Sequence, residues 1–307
     1  MQEHNKKSCL TLFVLLLNSS LASTSVKNLI TETEVAHDLL PAVRIYKDGR
    51  VERLVGTATV SPSLGEKTGV QSKDVAISSD SSVSARLYIP KAAIGSLHKL
   101  PVPVYFHRGG FTFETAQSPT YHNYLNALVA EANITDISVD YRRAPKHPLP
   151  TAYNDSWTSL KWVAAHFAGN GPEEWLNSHA NLSKCGNIVH NMGIQLGEEK
   201  LNGVEIAGAI MVLFFLGNEP LPWHKSSSIA LCITGSMRRP LHSLMLGTDP
   251  RLSSFGVDRV LIFSGWSGVV DVMEAPREDH LFHLLNPSCD NAERMMKKLA
   301  SFMSEDN

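Results

Sequence analysis

The chain has 307 residues, 43% of them hydrophobic, with 28 basic against 30 acidic side chains. That composition fills one sizeable core and excludes a disordered chain. A formal charge of −2 leaves no basic footprint for nucleic acid or for an anionic membrane surface. None of Cys9, Cys185, Cys232 and Cys289 falls in a C-x-x-C pair or a zinc-ribbon spacing. Neither a disulfide framework, a metal site nor a bound cofactor is therefore expected.

At the N-terminus, Lys6 and Lys7 precede an apolar run from Cys9 to Leu17, and the small residues Ser20 and Ala22 follow at alternate positions. This is the grammar of a secretory signal peptide spanning residues 1–22, with an apolar run too short to cross a bilayer. It points to the secretory pathway or the cell exterior. The alternative is an apolar start with no targeting role on a cytoplasmic protein.

The body of the chain, residues 35–303, reads as one domain. Val83 to Ile89 alternates as a strand and stops at Pro90, and Val102 to Phe106 is a β-rich run ending at His107-Arg-Gly-Gly110. Tyr121, Leu125, Leu128 and Val129 recur at helical spacing after Ser118-Pro119, and Ile134 to Val139 returns to strand. This is the β-loop-α-β rhythm of a parallel sheet flanked by helices.

Trp157, Leu160, Trp162 and Val163 place an apolar face on a helix from about Tyr153 to Phe167. A strand is due next, yet Ala168 to Lys184 carries no β-branched or aromatic run, and the following patterned segment is another helix, Asn187 to Leu196. A strand is expected to be missing here, because two crossover helices need one between them. Further strands are expected at Ala207 to Leu216, Val257 to Phe263 and Val269 to Met273. The last two are separated by too short a link for parallel neighbours with a full crossover. Met296, Leu299 and Met303 mark a final helix from Asp290 to Phe302.

Phe106-His-Arg-Gly-Gly-Phe111, Ser118-Pro-Thr-Tyr-His-Asn123, Asp140-Tyr-Arg-Arg-Ala-Pro145, His147-Pro-Leu-Pro150 and Glu278-Asp-His-Leu-Phe282 occur in that order. Together they resemble the plant-type carboxylesterases of the hormone-sensitive-lipase branch of α/β hydrolases, from about Val35 to Phe302. The resemblance implies an α/β-hydrolase fold and acyl-transfer chemistry, with a serine, a histidine and a carboxylate beside backbone N–H donors for the oxyanion. By that resemblance Gly109 and Gly110 are the oxyanion-hole positions and His280 is the general base. Arg108 replaces the first glycine of the family's loop, leaving open an imperfect oxyanion hole or a plain structural turn. His280 and His283 lie i, i+3 without a third ligand nearby in sequence, so no metal site is expected.

No nucleophile is identified. The family's G-D-S-A-G elbow precedes a helix that resembles Gly186-Asn-Ile-Val-His-Asn-Met192, but here Ser183-Lys-Cys185 stands directly before it. Roughly ten family residues lack a counterpart there, and about twenty after Phe263, where the family's aspartate belongs. Gly265-Trp-Ser-Gly-Val269 lacks the second elbow glycine and precedes a strand instead of following one. Cys185 reads as a structural thiol, and Asp258, Asp271 and Asp279 do not follow a strand end as a triad acid would. The expectation is a carboxylesterase-like hydrolase impaired as translated, whether a decayed copy or a misjoined gene model. The alternative is a non-catalytic protein that binds a small hydrophobic ester or hormone-like ligand in the acyl pocket, as the related gibberellin receptors do.

Overall fold

The computed structural model describes residues 34–39, 43–78, 80, 82–186, 206–212, 260–263, 271–272 and 281–304, with positions 192, 195, 199, 201, 275 and 278. The candidate leader, residues 1–22, and most of the helix expected over Asn187 to Leu196 lie outside them. So do the links after Val212 and after Phe263.

Three short strands, β1 (Val35–Leu39), β2 (Val43–Tyr46) and β3 (Val51–Arg53), form an antiparallel sheet of their own. The Lys47-Asp48-Gly49 turn joins the second and third, with Gly49 at φ 86°.

The main sheet is mixed. It contains β4 (Val70–Ser78), β5 (Val83–Pro90), β6 (Leu100–Phe106), β7 (Asp136–Asp140), β8 (Ala180–Gly186), β9 (Ile206–Val212), β10 (Val260–Phe263) and β11 (Asp271–Val272). Their order is β11-β10-β9-β8-β6-β7-β5-β4. β5 runs antiparallel to both β4 and β7, and the remaining pairs are parallel.

Between β6 and β7 the chain crosses over through α1 (Pro119–Ala132). Pro119 opens this helix where its missing N–H is harmless, and Asn133 closes it in the left-handed region at φ 50°. α2 (Thr151–Ala164) and the short α3 (Glu174–His179) lead to β8. The chain ends on α4 (Phe282–Leu285) and α5 (Asp290–Ser304).

Period-two alternation sends Val83, Ala85, Leu87, Val102, Val104, Ile137 and Val139 to one face, where Trp157, Leu160 and Val163 of α2 and Leu176 of α3 cover them. Each Val, Leu or Ile among them contributes on the order of 2 kcal/mol relative to exposure. The opposite face packs α1 and α5 through Tyr88, Tyr124, Leu125, Leu128, Val129, Met295 and Leu299. On α5 the fully buried stripe is Ala292, Met295 and Leu299, while Met296 and Met303 pack at its flank. Leu299 is common to this stripe and to the sequence spacing, while Met295 takes the buried place expected of Met296.

Two strand expectations are corrected. The slot between β6 and β9 is not empty, because β8 is drawn from the segment read as irregular. Its neighbours impose the pairing on residues with little strand preference of their own. The ladder is irregular there: Pro101 pairs with Asn181 but Val102 with Cys185, so Leu182, Ser183 and Lys184 fall out of register with β6. Likewise β10 and β11 are parallel neighbours, Leu261 opposite Asp271 and Ile262 opposite Val272, despite the short link. The link is long enough because β11 is so short that the chain has only to double back by roughly two strand rises, about 7 Å.

Candidate active-site region

The loop after β6 sits at the C-terminal end of a parallel strand, where open α/β sheets place their sites. His107, Arg108, Gly109 and Gly110 turn the chain sharply there. Gly109 has φ 125° and Gly110 φ 54°. A Cβ on Gly109 would run into the Phe113 carbonyl, so glycine is demanded by close approach as well as by φ. A Cβ on Gly110 would meet no atom within 4 Å, so its requirement is for φ alone.

The Gly109 carbonyl accepts hydrogen bonds from the backbone N–H groups of Thr112 (2.9 Å) and Phe113 (3.1 Å) and from the Thr112 hydroxyl (3.1 Å). The carbonyl side of the loop is therefore fully engaged. Among the described residues, the Gly109 and Gly110 N–H groups have no hydrogen-bond partner. Phe111 and Glu114 follow at φ 60° and 65°, a conformation that bulky residues rarely adopt and that marks a held loop.

Arg108 does not carry the distortion that its replacement of a glycine suggested. It takes no positive φ, and its N–H donates to the Tyr121 hydroxyl at 3.1 Å.

Beneath the loop His107 is buried, its ring stacked on Tyr141 at 4.3 Å between centroids and 5° between planes. Tyr141 also donates its hydroxyl proton to the His107 carbonyl at 2.7 Å. Burial drives the His107 pKa down to about 4, outweighing the opposing hydrogen bond to the Arg108 carbonyl. The ring is thus neutral at pH 7, with Nδ1–H donating to that carbonyl at 2.8 Å. Among the described residues its Nε2 has no hydrogen-bond partner, and it lies 3.9 Å from Asp140 Oδ1. Burial raises the Asp140 pKa, and the carboxylate accepts from the Ala116 N–H at 3.3 Å.

Outside the loop a set of arginines fixes it to its surroundings. Arg53 of β3 donates from Nε to the Thr112 carbonyl at 2.6 Å and from Nη2 to the Ala144 carbonyl at 3.0 Å. Arg143 donates to the Glu114 carbonyl at 2.7 Å, and the Ala144 N–H to the Phe111 carbonyl at 2.8 Å. Arg142 grips the buried Asp155 of α2, Nε to Oδ2 at 2.9 Å and Nη2 to Oδ1 at 2.7 Å. The Asp140-Tyr-Arg-Arg-Ala-Pro145 motif therefore serves as a brace. Sequence spacing carried no signal for Arg53, which lies 59 residues from its nearer partner.

Of the expected site residues, Gly109 and Gly110 are brought together at the loop tip. His280 lies outside the described residues, as do Asp258, Asp279 and Ser267. The described residues that follow His280, Leu281 and α4, run beside α1, where the His283 ring meets Tyr124 edge-on at 5.3 Å. Cys185 has its backbone in β8, and Asp271 its backbone in β11.

Fold and loop together define an α/β hydrolase. A family profile described as alpha/beta hydrolase fold matches residues 103–227. Carboxyl esterase 2 of the mycorrhizal fungus Tuber melanosporum superposes with a TM-score of 0.57 over 80% of this chain and 88% of its own, at 15% identity. Probable carboxylesterase 7 of Arabidopsis thaliana is 38% identical over 315 residues, covering 89% of this chain and 100% of the relative. The 2-hydroxyisoflavanone dehydratase of Glycine max is 36% identical over 317 residues, covering 88% and 99%. The chain belongs to the plant-type carboxylesterases of the hormone-sensitive-lipase-like α/β hydrolases.

Proposed function

We propose that the chain, as translated, keeps the carboxylesterase scaffold and its oxyanion loop but hydrolyses esters poorly or not at all. The carrying observation is the junction at the end of β8. This strand occupies the central slot after which a nucleophile elbow would follow, yet Gly186 leads directly into Asn187-Ile-Val, and no G-x-S-x-G occurs anywhere in the chain. Support comes from the relatives, since the whole of probable carboxylesterase 7 aligns over 315 positions using only 89% of a 307-residue chain. Family positions must therefore face gaps here. Absence of a triad serine costs a factor of about 10⁶ in turnover in a comparable hydrolase, leaving only what binding and oxyanion stabilisation provide.

A second reading is favoured by one observation. The Gly109 and Gly110 N–H groups point at no acceptor of their own, and such donors serve a ligand carbonyl or carboxylate as well as a tetrahedral intermediate. On this reading the chain binds a small hydrophobic ester or hormone-like molecule without turning it over.

Both readings meet the same experiment. The purified chain is treated with a fluorophosphonate probe and assayed with a short-chain chromogenic ester, while its melt is followed with non-hydrolysable ester analogues. No covalent adduct and turnover at background are expected. A stoichiometric serine adduct would overturn the impairment, and a melt unmoved by every analogue would remove the binding reading.

A further inference from the structure

Asp136 opens β7, near the middle of the main sheet, and is 1% exposed. Neither of its carboxyl oxygens has a hydrogen-bond partner among the described residues. Buried carboxylates are normally paired or multiply hydrogen-bonded, because an isolated charge in the core loses its hydration without compensation.

The groups around it offer no rescue. Across the ladder from Asp136 stands Tyr88 of β5, whose hydroxyl is spent on His122 Nδ1 at 3.2 Å. Tyr105 of β6 and Tyr124 of α1 lie within electrostatic reach, and their phenols are pushed upward, mainly by burial and in smaller part by Asp136. Arg86 shares the face, since it pairs with Ser138 two residues along β7, but its guanidinium is turned to Asp74 of β4 at 2.7 and 2.9 Å. The pKa of His122 in α1 is lowered, by burial first and by Arg86 second. α5 contributes Met295 and Leu299 to this side of the core. Among the described residues no cation is placed to hold the carboxylate, and burial pushes the Asp136 pKa upward.

We propose that Asp136 makes this fold acid-favoured: the chain folds with the carboxyl as the neutral acid, and rising pH weakens the α1 side of the sheet by driving that proton off. The proton balance fixes the direction. In the unfolded chain Asp136 releases its proton to solvent near pH 4, whereas in the folded chain it keeps it to well above the usual carboxylate range. The folded state then binds more protons than the unfolded one, so stability is greatest at and below the unfolded value and falls as pH rises through the folded one. This property belongs to the core and does not depend on whether the chain turns over esters.

The test compares unfolding of the full chain with that of Asp136→Asn and Asp136→Ala in urea from pH 4.5 to 8.5. The variants keep His107 and His122, so those contributions cancel in the ratio of unfolding constants. The parent's constant is expected to rise relative to both variants by up to tenfold per pH unit, leaving each variant at least tenfold more stable at pH 8. Parallel pH profiles overturn the proposal. So does a variant no more stable than the parent at pH 8, including one that fails to fold.

Discussion

His107 shows how one buried side chain can support a loop and carry a pH liability at once. Its ring is neutral because the core has no place for its charge, and the neutral tautomer is the one that holds the Arg108 carbonyl. Its pKa falls from an unfolded value of 6.5 to about 4 in the folded chain, so the unfolded state binds the extra proton between those two values. Stability from this group is therefore complete above pH 6.5 and is lost as pH falls toward 4, by roughly 3 kcal/mol for the full shift. In His107→Gln the slope of unfolding free energy against pH should flatten across that window, even if the variant is less stable overall. An unchanged slope in equilibrium unfolding would show that the imidazole is not held neutral. Asp136 pulls the other way over the same range, so these two contributions oppose each other in the parent's pH profile.

At the scale of elements, the glycine loop after β6 is held from outside by β3. Arg53 bridges the Thr112 and Ala144 carbonyls, tying the small N-terminal sheet to both the loop and the brace that follows β7. Hydrogen bonds to a charged donor are worth about 1.5–3 kcal/mol each, so Arg53→Met should destabilise the chain by on the order of 2–4 kcal/mol. Amide exchange at Thr112 and Phe113 should accelerate more than exchange in α2, whereas equal acceleration would mean that Arg53 acts only on global stability. The loop itself was legible in sequence, since two glycines after an apolar strand have a direct physical meaning. α1 was legible too, with Pro119 and Asn133 marking its ends. Arg53 was not, because a guanidinium reaching carbonyls far along the chain leaves no periodicity to read. β8 was misread for a related reason: strand formation there comes from the ladder edges of β6 and β9, and Ala180–Gly186 merely fills the space they leave.

Over the whole molecule, the two faces of the main sheet differ in kind. The α2 face is aliphatic along β5, β6 and β7, whereas the α1 face buries Arg86, His122, Tyr88 and Asp136, with Asp74 holding Arg86 from the exposed rim. Stability should therefore respond to pH through the α1 side, and ordinary large-to-small losses should dominate on the α2 side. The glycine loop after β6 stands at the seam between these layers, at the C-terminal end of a parallel strand.

The placement of α5 has a topological consequence. The last helix in sequence packs on α1, the first long helix, so segments from either side of residues 213–259 meet in space through Met295 and Leu299 against Leu125 and Leu128. A single backbone cut anywhere in residues 213–259 would leave both halves of that contact intact. Chain so nicked should elute as one species in native buffer and separate into two fragments only in denaturant. Separation under native conditions would show that the α1–α5 contact is too weak to hold them. Co-elution would show that α5 stays fastened to α1 without the backbone between them.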